Sequence, residues 1–190
     1  CCIVPPKHLW HQIDTIRSQH DKSHGRWPPH LNLFFPFVPS NQFELVAQEL
    51  TRRLSSVEPF TVELSQIMFN QDSKYLFVVP TVIDTSLSVQ QNKQSKKLAT
   101  RNPFFELIQQ IMLALPQCKT AMTGKLLSNL QSWTPHMTLG QFAKDDIHTI
   151  CSQLQSQWEP MQFEIREITL MSRTGRDDPF KVMSTIKLGS

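Results

Sequence analysis

The chain repeats itself, and each copy opens with a histidine that follows a proline at the head of an apolar run. The first copy begins Pro29-His30-Leu31-Asn32-Leu33 and the second Pro135-His136-Met137-Thr138-Leu139. A duplicated chain must build two related half-structures around one core, and that restricts the fold more than composition does. After His30 a strand runs through Phe37 and stops near Pro39. An amphipathic helix then carries Phe43, Val46, Ala47, Leu50 and Leu54 on one face, with Ser40 or Asn41 as its cap. After His136 a strand runs to about Phe142, and the next helix presents Ile147, Ile150, Cys151, Leu154 and Trp158, capped by Asp145 or Asp146. Both helices end in a Glu-Pro pair, Glu58-Pro59 and Glu159-Pro160.

Alternating segments follow both pairs: Phe60 to Leu64 with Glu63, and Met161 to Ile165 with Glu164. Each copy closes with another strand, Tyr75 to Val82 and Phe180 to Leu188, and a further strand ends at Leu170-Met171-Ser172. A helix precedes each copy. Leu9, Ile13 and Ile16 mark the first; Phe104, Leu107, Ile108, Ile111, Met112 and Leu115 mark the second, behind an Asn102-Pro103 start. This order predicts an α+β fold of two pseudo-symmetric lobes of antiparallel sheet flanked by helices, with a central cleft. The expected organisation is one domain over 1–190. The first motif falls in a lobe of about 27–85, the connection spans about 86–102, and the second motif falls in a lobe of about 132–188. The connection is rich in Ser, Gln, Asn and Lys; its Lys93, Lys96 and Lys97 read as a solvated surface or as a grip on RNA.

Composition narrows the classes. Over 190 residues, 39% hydrophobic and 18% charged residues fit a globular chain. A formal charge of +3 is too small to argue nucleic-acid binding by itself. The four cysteines, Cys1, Cys2, Cys118 and Cys151, form no C-x-x-C pair, so a disulfide scaffold is not expected and a reducing, intracellular compartment (cytoplasm or nucleus) is. No apolar run is long enough to span a membrane, so no membrane partner is expected. The start at Cys1 reads as a piece of a longer multidomain chain.

Strand alternation assigns the chemistry. His30, Asn32 and Phe34 share one face, and His136, Thr138 and Gly140 share another, each opposed by apolar residues that pack under helices. Asparagine is disfavoured in strands, so Asn32 within an apolar run calls for a polar cleft with a ligand. A neutral imidazole takes a proton and an imidazolium gives one; with a reference pKa of about 6.5, one of each coexists near neutral pH. Asn32 and Thr138 are short donors suited to phosphate oxygens on which charge builds. The scheme needs no metal and no cofactor.

The paired His30-Leu-Asn-Leu and His136-Met-Thr-Leu motifs, one per copy, resemble those of the 2H phosphoesterases. That superfamily includes bacterial 2′-5′ RNA ligases, eukaryotic cyclic phosphodiesterases and the central domain of an A-kinase anchoring protein. The resemblance covers about Leu9 to Leu188. It implies cleavage of 2′,3′-cyclic phosphates or 2′-5′ phosphodiester links in RNA or nucleotides, with His30 and His136 catalytic and Asn32 and Thr138 on the phosphate. The first motif departs from the family pattern, which has Thr or Ser where Asn32 stands. Arg26-Trp27-Pro28-Pro29-His30 also resembles a eukaryotic subgroup within larger RNA-related proteins.

Several residues read two ways. Trp27 and Phe34 stack a base at the cleft edge or pack in the core. Arg26 and Arg173 bind phosphate or are solvated. His8, His11, His20, His24 and His148 have no counterpart in the repeat and read as surface residues, with no metal site. The competing function is a binding module for a nucleotide or an RNA end, without turnover, on the same fold.

Overall fold

The structure is a computed structural model that describes residues 1–69, 74–83, 102–120 and 135–190. Lys93, Lys96 and Lys97, with nearly all of the expected connection, lie outside the described residues. In chain order the elements are β1 (Cys2–Ile3), α1 (Trp10–His20), β2 (Leu31–Asn32), α2 (Phe43–Leu54), β3 (Phe60–Phe69), β4 (Tyr75–Ile83), α3 (Pro103–Ala114), β5 (Met137–Gln141), α4 (Ile147–Gln157), β6 (Met161–Ile165), β7 (Glu167–Ser172) and β8 (Lys181–Lys187). Two antiparallel four-stranded sheets result, with strand orders β2-β1-β7-β8 and β5-β4-β3-β6.

The α+β class, the two sheets and the helices preceding each motif match the expectation. The assignment of strands to lobes does not. The first motif strand, β2, sits with β1, β7 and β8, while β3 and β4 join the second motif strand, β5. The stretches 27–85 and 132–188 are therefore not the two lobes. Among the described residues each motif strand lies beside the strand that precedes it by one α-helix: β1 beside β2 across α1, and β4 beside β5 across α3. The repeat thus begins one strand earlier than its histidine. Alternation identifies a strand but carries no information about its partner. The corresponding Glu-Pro strands β3 and β6 pair with one another, Thr61 opposite Glu164 and Glu63 opposite Gln162. At Arg166 the chain leaves one sheet and enters the other, which ties the lobes together.

The helices form where the apolar spacing placed them. In α2 the buried residues are Phe43, Val46, Leu50 and Leu54. In α3 they are Phe104, Leu107, Ile108 and Ile111, and the Asn102 side chain caps the helix by accepting the Phe104 N–H at 3.0 Å. One cap expectation fails, since Ser40 and Asn41 fall in a 3-10 turn ahead of α2; Asp146 does occupy the cap position of α4, without a side-chain bond. Helix α4 secures an irregularity in β3, where the register slips between Leu64 and Gln66. Gln155 accepts the Ile67 N–H at 2.7 Å and donates to the Ser65 carbonyl at 3.0 Å, and Trp158 Nε1 donates to the Leu64 carbonyl at 2.9 Å. Backbone groups left out of the ladder are thereby paired, as burial requires.

The C-terminal end of α1 rests on β5. A Cβ built on Gly140 would lie 2.6 Å from His20 Cβ and 2.9 Å from the His20 carbonyl carbon. Because backbone must move to admit a methyl group there, Gly140→Ala is expected to lower stability by about 1–3 kcal/mol. An unchanged midpoint in urea denaturation would contradict that close approach.

Candidate active site

In each motif one extra residue directly follows the polar side chain; in the first it comes where β2 ends, at Asn32 rather than at Phe37 as expected. In the first, the N–H groups of Leu33 and Phe34 both bond to the Cys1 carbonyl, at 3.1 and 3.0 Å. In the second, Leu76 opposes Gly140 and Phe77 opposes Thr138, so Leu139 is the surplus residue. Such a bulge reverses the alternation beyond it. Phe34 therefore turns into the core, fully buried, and Phe35 faces the cleft with 44% of its surface exposed. Of the two readings of Phe34, burial thus favours core packing over base stacking. The same shift turns Gln141, rather than Gly140, to the cleft.

The cleft has a volume of about 390 Å³. His30, Asn32, His136 and Thr138 all line it, as do Trp27, Arg26 and Arg173. The remaining histidines, His8, His11, His20, His24 and His148, are exposed on the surface. Among the described residues, no group of three or more His, Cys, Asp or Glu is placed to hold a metal ion. No two of the four cysteines are bonded, and no described helix is long and apolar enough to cross a membrane.

His30 is held firmly. Its Nδ1 lies 2.8 Å from the Pro28 carbonyl oxygen. A carbonyl only accepts, so the neutral ring carries its proton on Nδ1 and its lone pair on Nε2. The ring stacks on Trp27 with centroids 4.7 Å apart, and Trp27 stacks on Phe180 at 3.5 Å. Arg173 covers Phe180, its Cζ 4.8 Å from the ring centroid. Burial pushes the His30 pKa down to about 4; the Pro28 bond and Asp21 oppose this, while Arg17 reinforces it. His136 is exposed just ahead of β5, with its ring 4.8 Å from that of Phe77.

Trp27 stacks with both His30 and Phe180, so it supports His30 while also lining the cleft. Arg173 forms the outer layer of the same stack and also donates to the Arg176 carbonyl. Arg26 lies 3.7 Å from Asp177 and donates to the Lys22 carbonyl.

The sequence reading missed Arg17, Asp21, Tyr75 and Gln141. Arg17 is 2% exposed, and its Nε donates to Asp21 Oδ2 at 3.0 Å. Its Nη2 donates to the Trp27 carbonyl at 2.8 Å, and its Nη1 to Asp14 at 3.3 Å. Asp21 Oδ1 accepts the Ser23 N–H at 2.8 Å and Gln141 Nε2 at 3.3 Å, while Gln141 Oε1 accepts the Lys22 N–H at 2.9 Å. One ion pair thus touches the segment carrying His30 and the strand following His136. A signal was present: Arg17 follows Ile13 by one helical turn and shares its inward face.

The 2′-5′ RNA ligase superfamily model matches residues 5–177. The chain belongs to the 2′-5′ RNA ligase superfamily. Its fold resembles that of E. coli LigT complexed with ATP, at 16% identity and a TM-score of 0.58, covering 100% of this chain and 96% of that one. A crystal structure described as a phosphoesterase matches at 15% identity and 0.58 over the same shares. A Bacillus cytotoxicus protein named as a phosphoesterase is 29% identical over 66 residues, 34% of this chain and 38% of that protein. The match thus spans well under half of that relative's length.

Removing one partner of the buried pair leaves a charge without compensation. Arg17→Met is expected to destabilise the protein by about 3–5 kcal/mol, and Arg17→Met/Asp21→Leu by clearly less. Chemical denaturation of the single and double variants checks this; equal losses would contradict it.

Proposed function

We propose that the chain is a metal-independent phosphodiesterase acting on 2′,3′-cyclic phosphates or 2′-5′ links of RNA or nucleotides. The observation that carries this reading is the pair of motif histidines lining one cleft with Asn32 and Thr138. His30 is the base: its Nδ1–H is committed to Pro28, and its Nε2 lone pair is not protonated near neutral pH. For a cyclic phosphate, Nε2 takes a proton from water as the water oxygen bonds to phosphorus. The bond to one ribose oxygen breaks, and His136 gives that oxygen its proton. For a 2′-5′ link, His30 takes the proton from the neighbouring 3′-hydroxyl instead, and the 5′-oxygen leaves protonated by His136. Asn32 and Thr138 donate to the non-bridging oxygens. The exposed ring of Tyr75 at the cleft offers a surface for a base.

His30→Ala and His136→Ala are each expected to lower kcat by about 100- to 10,000-fold, measured with 2′,3′-cyclic nucleotides in EDTA. A p-nitrophenyl ester leaves without a proton, so that substrate should restore much of the activity of His136→Ala and little of His30→Ala. Rescue of His30→Ala instead would exchange the roles.

The pH profile has a definite sign. A base works when deprotonated, so the acid limb of kcat/KM should fall as pH drops through about 4. Bound phosphate favours imidazolium, so the acid limb of kcat should lie above that of kcat/KM. An acid limb of kcat/KM near pH 6.5 would contradict the base assignment. Asn32 favours one other reading, a binder without turnover. Nucleotide affinity without hydrolysis, with hydrolysis appearing in Asn32→Thr, would establish it.

A further inference from the structure

The cleft continues past Arg173. It shares Trp27, Phe35 and Arg173 with an apolar pocket of about 230 Å³ walled by Phe37, Val38 and Phe43. That pocket shares Ser40, Ser172 and Arg173 with an open groove of about 700 Å³, which Lys181 also lines. Arg173 therefore stands where all three meet, its guanidinium fixed over Phe180.

The chemistry along this track alternates as a nucleotide strand does. The cleft offers donors for a phosphate, the pocket offers aromatic surface, and the groove offers a second cation. Phe35 meets Trp27 at 79° and Phe180 at 73°, edge-on in both cases, and is 44% exposed. Trp27, half-buried, stacks instead on His30 and on Phe180. The one carboxylate in the groove, Asp178, is engaged: its Oδ2 accepts the Gly175 N–H at 2.7 Å. Aromatic surface flanked by basic side chains is the usual means of holding single-stranded nucleic acid.

We propose that the pocket and groove form a second nucleotide subsite, so that the preferred substrate is an oligonucleotide end rather than a mononucleotide. The base of the adjoining nucleotide stacks on Phe35, and its phosphate lies between Arg173 and Lys181. This rests on the phosphodiesterase reading of the cleft.

Lys181 separates the two functions, because it is exposed at the start of β8 and lines the groove but not the cleft. The test compares kcat/KM for a 2′,3′-cyclic mononucleotide and a trinucleotide ending in a 2′,3′-cyclic phosphate, in the native protein and in Lys181→Glu. The trinucleotide should be preferred by about tenfold, and Lys181→Glu should abolish the preference while leaving the mononucleotide within about twofold. Equal kcat/KM for the two substrates in the native protein, or equal losses on both in the variant, would overturn the subsite. If neither substrate turns over, the phosphodiesterase reading fails separately. Fluorescence anisotropy with a labelled trinucleotide 3′-phosphate, competed by the mononucleotide, then decides the subsite. Tighter binding of the longer ligand, lost in Lys181→Glu, supports it, and equal affinities refute it.

Discussion

The site depends on an ion pair placed where an apolar contact would be the simpler solution. Arg17 and Asp21 lie one turn apart at the end of α1, both buried. Taking two charges out of water is costly unless further hydrogen bonds satisfy them. Here those bonds run to different parts of the molecule: the Trp27 carbonyl beside the first motif, the Ser23 amide, and Gln141 at the end of the second motif strand. Among the described residues no buried side-chain nitrogen or oxygen lacks a partner. Because the network is complete, shifting either motif strand against α1 breaks a bond to a buried charge. Gly140 serves the same end by letting the α1 backbone approach β5 more closely than any side chain would permit.

A second chain of contacts fixes the first histidine from the other side. Arg173, Phe180, Trp27 and His30 form successive layers, and the Phe180 N–H donates to the Arg26 carbonyl at 2.7 Å. The layers come from both ends of the chain, since β8 follows Phe180 and β2 follows His30. Stacking on one side and the Pro28 carbonyl at Nδ1 leave the ring little freedom, and the surrounding burial keeps it neutral. Structure and charge state are thus set by the same neighbours.

Much of this was legible in the sequence. The helix faces around Leu50 and Ile108, the Asn102 cap and the shared cleft of His30, Asn32, His136 and Thr138 follow from periodicity and from the repeat. What was not legible has two physical origins. Pairing between distant strands leaves no local trace, so β4 was grouped with the wrong motif. A one-residue insertion leaves the composition of a strand unchanged while reversing its faces, so Phe34 was placed in the cleft and Phe35 was not. Arg17 escaped for a third reason: a charge on an amphipathic helix is ordinarily solvated, and only its spacing from Ile13 marks it as inward.

The two bulges also bear on how the protein stays apart from its own kind. Among the described residues both motif strands, β2 and β5, are outermost in their sheets. An outermost strand offers unpaired amides and carbonyls to any passing strand, and a regular, flat one invites edge-to-edge association. An inserted residue twists the strand and breaks the even spacing that a newcomer would need. The irregularity that aims Phe35 and Gln141 into the cleft therefore also makes these edges poor templates for aggregation, and a chain repaired to ideal strands there would present more regular edges while losing its site.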